Sequence, residues 1–219
     1  MEPFVITIAR GFGSGGKTIG TQVAKDFGIP CYEQQLLEMA SEYSGINETL
    51  FAEVDEKLRG SLIIKRLTQV PYSNVLKPSD HDFVSDTNLF NIQAQIIRTL
   101  AKTQSCVIIG KCADLILRDY PNVVSIYIEA PREACVASIR DKMEVTEKQA
   151  AKLIVKTDKY RSDYYKFYTG GQDWRSPVNY DLIINSHRVG RDRCAKVIEA
   201  YTCFKLGIET PKAQAEETK

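Results

Sequence analysis

No apolar run of 18 residues occurs anywhere in the 219-residue chain, so a membrane-spanning helix is not expected. A basic start followed by a long apolar stretch is also missing. MEPFVITIA passes from an acidic residue straight into a short strand-like run, and no secretory signal is read there. Charge of one sign is lacking as well: 29 basic residues against 28 acidic ones leave a formal net charge of +1. Bulk electrostatics therefore ask for neither nucleic acid nor an anionic membrane, and local charge must hold any anion. The 6 cysteines (Cys31, Cys106, Cys112, Cys135, Cys194 and Cys203) never form C-x-x-C, and most stand inside apolar runs such as SCVIIG. They read as reduced structural thiols of a cytoplasmic protein. His81 and His187, the 2 histidines, show no partner pattern and receive no role. There is no internal repeat, and the guanine-reading motifs N-K-x-D and D-x-x-G are absent, which speaks against a GTPase.

What is present is an alternation of apolar strands and amphipathic helices. FVITIA (4–9), IPCYE (29–33), SCVIIG (105–110), NVVSIYIEA (122–130) and YDLIINS (180–186) read as strands. Helices are expected over KTIGTQVAKDFG, QQLLEMASEY, LFNIQAQIIRTLAK, KCADLILRDY and PREACVASIRDK, the last with Pro131 in its first turn. The T-x-x-Q spacing of TEKQ (146–149) predicts a capping box, with a long helix from Thr146 to Gly170-Gly171. DRCAKVIEAYTCFKLG supplies the last helix, and the polar tail 211–219 is expected to be disordered. Strands of this type, alternating with helices, predict a parallel sheet wrapped on both sides. Residues 45–90, punctuated by Gly60, Pro71 and Pro78, are less regular.

IARGFGSGGKT (8–18) fits two signatures. Gly11-x-Gly13-x-x-Gly16 is the dinucleotide fingerprint of a Rossmann enzyme, for which Glu33 after the second strand would be the ribose-binding acid. Gly11, followed after four residues by Gly16-Lys17-Thr18, is a P-loop. Glycines serve both, since each lets backbone N–H groups approach phosphate at a helix N-terminus. Lys17 and Thr18 decide for the P-loop: a triphosphate needs a cation at its β- and γ-phosphates and a hydroxyl on Mg²⁺, and a dinucleotide needs neither. Gly11, Gly13, Ser14, Gly15, Gly16, Lys17 and Thr18 are thus the expected nucleotide-binding residues, with Thr18 the metal ligand.

The segments VITIARGFGSGGKTIG, QAQIIRTLA, CVIIGKCADLILRDYPNV, IYIEAP, DKYRSDYYKFYTGGQDW and NYDLIINS resemble, in the same order, those of the cytidylate kinase-like proteins, relatives of bacterial CMP kinase. The resemblance implies a three-layer α/β/α P-loop kinase fold in one domain (1–210), with an acceptor-binding insertion at about 32–90 and a lid at about 140–172. It implies ATP and Mg²⁺ as cofactors and a nucleoside monophosphate, CMP or dCMP first, as the acceptor. By position, Lys17 would neutralise the β- and γ-phosphates. Lys111, standing where relatives carry the arginine of DGRD, would touch the acceptor phosphate. Asp158 and Arg161 match the D-x-x-R pair of the lid, Arg161 stabilising the transferring phosphoryl and Asp158 meeting the acceptor sugar or orienting the arginine. Glu33 and Asp114 complete the candidate acceptor site. The chain departs from the pattern at Ile109, where DGRD begins with an acid, and at Cys135, where many relatives carry arginine. These departures keep open a kinase of another small acceptor, or a nucleotide-binding regulatory module with little transfer. The tyrosines at 160, 164, 165 and 168 are expected to pack the lid helix on the core, Lys148, Lys152 and Lys156 to form its wet face, and Trp174 to anchor the loop that follows.

Overall fold

The computed structural model describes residues 2–44 and 86–209. Residues 45–85, most of the expected acceptor-binding insertion and the site of His81, lie outside the described residues, as does the tail 211–219. β1 (Val5–Arg10) is a β-branched run buried along its first five residues, as a strand covered on both faces must be. It pairs in parallel with β3 (Cys106–Ile109) on one side and β4 (Val123–Glu129) on the other. β2 (Cys31–Tyr32) lies beyond β3 and β5 (Leu182–Asn185) beyond β4, giving the order β2-β3-β1-β4-β5 with every pairing parallel.

Alternation along β1 sends successive side chains to opposite faces. Ile6 and Ile8 join Ile19 and Val23 of α1 (Gly16–Phe27) and Ile198 of α8 (Arg191–Leu206). Val5 and Ala9 face the other way, into a cluster with Leu89, Phe90 and Ile97 of α3 (Asp86–Thr103). The sheet is therefore the middle of three layers, the α/β/α architecture that the alternation of apolar runs predicts. Each fully buried isoleucine or leucine contributes about 1.5–3 kcal/mol. This core fixes the C-terminal ends of the strands, and the loops that follow them inherit that rigidity.

The other connections follow local chemistry. α2 (Gln35–Ser44) follows β2, which is two residues long because it meets β3 only along Val107 and Ile108. α4 (Ala113–Ile116) is much shorter than the helix expected over KCADLILRDY. Gly110, Lys111 and Cys112 have φ of 76°, 59° and 52°, so three left-handed residues delay helix entry until Ala113. Pro131 caps α5 (Arg132–Met143) from outside rather than opening its first turn. α6 (Glu147–Thr169) has the capping box predicted from TEKQ: Thr146 accepts from the Gln149 N–H and the Gln149 side chain accepts in return. A small cluster of Cys135, Ile139, Ala150 and Ile154 joins α5 to α6. α7 (Ser186–Val189) is one turn between β5 and α8 and carries an exposed His187. No helix among the described residues is long and apolar enough to cross a membrane.

Candidate active site

The loop Gly11–Gly15 links the central strand to α1 at the C-terminal edge of the sheet, where ligands of open α/β sheets bind. α1 begins without a side-chain cap and without an acidic residue in its first turn. Its free N–H groups and positive dipole end therefore await an anion. Lys17 and Thr18 both stand in that turn and are exposed. The loop is held from within and behind. The Ser14 hydroxyl donates to the Gly11 carbonyl at 2.9 Å, and the buried Ser186 hydroxyl donates to the Ser14 carbonyl at 2.6 Å. Arg191, opening α8, donates to Ser138 Oγ at 2.7 Å and to the Gly13 carbonyl at 3.4 Å.

Gly13 has φ +92°, and a Cβ there would stand 2.8 Å from the Cys135 carbonyl oxygen. Strain of about 1–3 kcal/mol and a backbone clash coincide at this one position. Gly13→Ala is expected to lower the melting temperature by several degrees and to weaken nucleotide binding at least about tenfold. Thermal unfolding with and without Mg·ATP, together with calorimetric titration, checks both.

Beside the loop opens a cavity of about 460 Å³, lined by Lys17, Glu33, Lys111, Asp114 and Arg161. Four of the five expected acceptor residues thus meet the P-loop lysine around one space. Aromatic rings form another wall: Tyr160, Tyr164 and Tyr165 come from α6, and Trp174 and Tyr180 from the chain after it. The tyrosines of α6 also pack the helix on the core: Phe90 meets Tyr164 edge-on at 6.1 Å and stacks on Tyr168 at 3.6 Å. Trp174 is buried edge-on against Tyr127. Lys148, Lys152 and Lys156 are all exposed.

Glu33 bridges two cations, accepting from Lys17 Nζ at 2.6 Å and Arg10 Nη2 at 2.9 Å. Burial pushes its carboxyl up, but the hydrogen bond from Lys17 and the charges of Arg10 and Lys17 outweigh that and hold it below the usual glutamate value. Arg161 donates to the Arg10 carbonyl at 2.8 Å and lies 5.6 Å over the Phe12 ring. Burial and the neighbouring Arg10 charge pull its pKa down to about 9, which leaves it cationic at neutral pH.

Asp158 stands behind the P-loop rather than on the cavity wall. Its Oδ1 accepts the Phe12 N–H at 2.8 Å, its Oδ2 accepts from Arg175 at 3.2 Å, and Arg161 is 3.8 Å away. Burial raises its pKa against the pull of these donors.

Several site residues escape sequence reasoning. Arg10, one residue before the first loop glycine, fills the space between the P-loop and Gly110. Glu129 ends β4 against Gly11, accepts from the Tyr127 hydroxyl at 3.0 Å and lies 3.8 Å from Arg175. A charged residue at the C-terminal end of a parallel strand is the signal that marks both, whereas nothing in the sequence marks Arg175. At the two departures from the pattern, Ile109 is core and Cys135 is buried behind Gly13. Burial first, then the negative charges of Glu129 and Asp158, push the Cys135 thiol up to about 11. All 6 cysteines are free thiols.

A second concavity, about 680 Å³, opens by the start of β4 and is lined by Ser125, Asn179 and Lys205 among others. It contains no P-loop residue and shares only Asp114 and Tyr180 with the first, so of the two it is the smaller cavity that adjoins the P-loop. Burial pushes the Asp114 carboxyl up to about 6, while its own and the Leu115 N–H, the facing Tyr165 hydroxyl and the Arg118 charge draw it back. A folded-state value above the unfolded one costs stability at pH above about 6 and is relieved as pH falls toward 4. The shift from 3.8 to about 6 corresponds to at most ~3 kcal/mol. Asp114→Asn is therefore expected to raise the melting temperature at pH 7.5 and to leave it nearly unchanged at pH 4, as paired thermal scans would show.

The sequence profile of the cytidylate kinase-like family matches residues 5–188. No curated protein matches the chain. Among solved structures, an uncharacterized protein from Eubacterium ventriosum is 26% identical with a TM-score of 0.66, covering 91% of this chain and 98% of its own. Shikimate kinase from Bacteroides thetaiotaomicron aligns at 11% identity and a TM-score of 0.49, covering 90% of this chain and 97% of its own. A gluconokinase from Sinorhizobium meliloti aligns at 13% and 0.46, covering 92% and 96%.

Proposed function

The chain belongs to the cytidylate kinase-like family of P-loop kinases, and from that premise we propose that it transfers the γ-phosphoryl group of ATP to a nucleoside monophosphate, CMP or dCMP first. The observation that carries this reading is the junction of two sites: an uncapped helix N-terminus bearing Lys17 opens directly onto a cavity with Lys111 and Arg161 on one part of its wall and aromatic rings on another. Cations suit the phosphates, and rings suit a base.

In this reading an oxygen of the acceptor phosphate attacks the γ-phosphorus, the bond to the β,γ-bridging oxygen breaks, and ADP leaves. Little covalent work falls to the protein. N–H groups of residues 13–18 hold the β-phosphate, Lys17 spans β and γ, and Arg161 meets the charge that develops on the moving phosphoryl. Lys111 orients the acceptor phosphate, and Asp158 holds the loop in register through the Phe12 N–H. Among the described residues no group of three His, Cys, Asp or Glu side chains could hold a metal ion unaided. That suits Mg²⁺, which binds largely through substrate phosphates and water, with the exposed Thr18 hydroxyl as the protein ligand. When bound there, the ion would neutralise phosphate charge.

A second reading changes the acceptor to a small hydroxyl compound. Glu33 favours it, because a carboxylate beside Lys17 could take the proton that a hydroxyl loses and a phosphate acceptor does not carry.

An ADP-release assay with Mg·ATP against CMP, dCMP, UMP, AMP, GMP and TMP tests the proposal, with Lys17→Ala as the blank. Turnover above the blank with one or two monophosphates is the expected result. Silence across the panel from a protein that still binds ATP would overturn the nucleotide acceptor and turn the search to hydroxyl compounds.

A further inference from the structure

The end of the central strand carries a cation to which the proposed transfer gives no role. Arg10 closes β1, and its side chain runs from beside Gly16, at the start of α1, to Gly110, just past β3. Glycine stands at both points of passage: a Cβ on Gly16 would collide with Arg10 Cβ, and one on Gly110 with Arg10 Nη1. The path of this side chain is therefore fixed by its neighbours, and it ends on the cavity wall that Lys17 and Arg161 also line. Glu33 joins Arg10 and Lys17 through different oxygens, Oε1 to Arg10 Nη2 at 2.9 Å and Oε2 to Lys17 Nζ at 2.6 Å. The oxygens of a phosphoryl group are spaced much like those of a carboxylate, so two cations bridged by one carboxylate are also set for one phosphoryl group. The Arg10 charge helps to pull the Arg161 pKa down to about 9, which places the two guanidinium groups close enough to repel. An anion among such cations relieves that repulsion.

Resting on ATP as the phosphoryl donor and on no particular acceptor, we infer that Arg10 binds the γ-phosphoryl group together with Lys17, and that Glu33 holds the two cations in place for it. A guanidinium carries five N–H donors in a fixed fork, enough for the Glu33 carboxylate and a phosphoryl oxygen at once. A lysine at this position keeps the charge but not the fork, and cannot serve both partners in the same way. Lys17 contacts the β-phosphate as well, whereas Arg10 comes from the strand side of the loop, by way of Gly110 and Glu33. Its contact is thus with the group that ADP lacks, and it makes the site prefer the triphosphate.

Calorimetric titration of the full chain with Mg·ADP and with the magnesium complex of a non-hydrolysable ATP analogue tests this, since neither ligand needs an acceptor. Arg10→Ala is expected to weaken the triphosphate about 10–100-fold, the loss of a hydrogen bond to a charged group, and to leave the Kd of ADP within about twofold of wild type. Arg10→Lys should lose most of the same preference. Should Arg10→Ala fail to fold, Arg10→Lys, which keeps the charge and an unbranched stem past Gly16, decides by itself. If Arg10 served only to hold Glu33, its removal would cost nothing once that carboxylate is gone. In a Glu33→Ala background the Arg10→Ala step is therefore expected to weaken the triphosphate at least about tenfold still. Folded variants that weaken both nucleotides equally, or keep the wild-type preference, or lose the effect in the Glu33→Ala background, would overturn the γ-phosphoryl contact and make Arg10 a counter-ion of Glu33, while leaving the kinase standing. A wild-type protein that binds neither nucleotide would overturn both.

Discussion

Lys17→Ala is expected to abolish ADP release with every acceptor while the protein remains folded. The Lys17 side chain is 60% exposed and its ion pair is with Glu33, so its removal takes nothing from the core. Glu33 is only 21% exposed but keeps Arg10 at 2.9 Å, so losing the half-exposed Lys17 pair should cost about 1 kcal/mol or less. Its loss in the transition state is another matter. A cation placed where charge develops accounts for about 10²–10³ in rate for a single donor, and this lysine would contact two phosphates at once. We expect kcat to fall by at least about 10³-fold and the melting temperature to move by no more than a degree or two. Lys17→Arg should not restore activity: the planar guanidinium is longer and bulkier than an ammonium and does not act as a compact point charge. A Lys17→Ala protein that keeps more than a tenth of wild-type turnover would show that the phosphates are held elsewhere, and with that the assignment of the P-loop would fall.

That prediction is legible in the sequence because the chemistry of a P-loop is compressed into eight contiguous residues, Gly11–Thr18, between a strand and a helix whose patterns are strong. The sheet is legible for the same local reason: VITIAR, CVII and VVSIYIE are apolar β-branched runs. Sequence alone gives too long a helix at α4, because Lys111 and Cys112 adopt left-handed backbone that non-glycine residues seldom take and no composition rule signals. It also assigns Asp158 partly to the acceptor, whereas its oxygens bond to Phe12, 146 positions away, and to Arg175. The tie between Ser186 and Ser14 crosses 172 positions. Such contacts exist only once β1, β4 and β5 lie side by side, so local periodicity carries no trace of them. The burial of Asp114 is equally invisible: a carboxylate in a first helical turn reads as ordinary dipole complementation until the fold encloses it.

Arg161→Ala is expected to lower kcat by about 10²–10³-fold with little change in nucleotide affinity, since the guanidinium meets charge that appears only as the phosphoryl moves. Its ground-state contacts include the Arg10 carbonyl at 2.8 Å, the Phe12 ring at 5.6 Å and, more loosely, Asp158 at 3.8 Å. Losing the first two costs a hydrogen bond and a cation–π contact, about 1–2 kcal/mol together. Asp158→Ala should behave differently. It leaves the Phe12 N–H unpaired and takes the carboxylate from both Arg161 and Arg175, so stability should fall by up to about 3–5 kcal/mol and the P-loop should loosen. Nucleotide KM then rises along with the loss in kcat. The two losses should not add, because both variants sever the same link between α6 and the P-loop, and the double variant should be little worse than the poorer single one. Arg161→Lys discriminates further: a lysine can keep a charge near the cavity but cannot hold the Arg10 carbonyl and the phosphoryl with one planar fork. A folded Arg161→Ala protein losing less than about tenfold in kcat would make this arginine a structural latch, and the transferring phosphoryl would then depend on Lys17 and Arg10, the two cations that Glu33 holds in place.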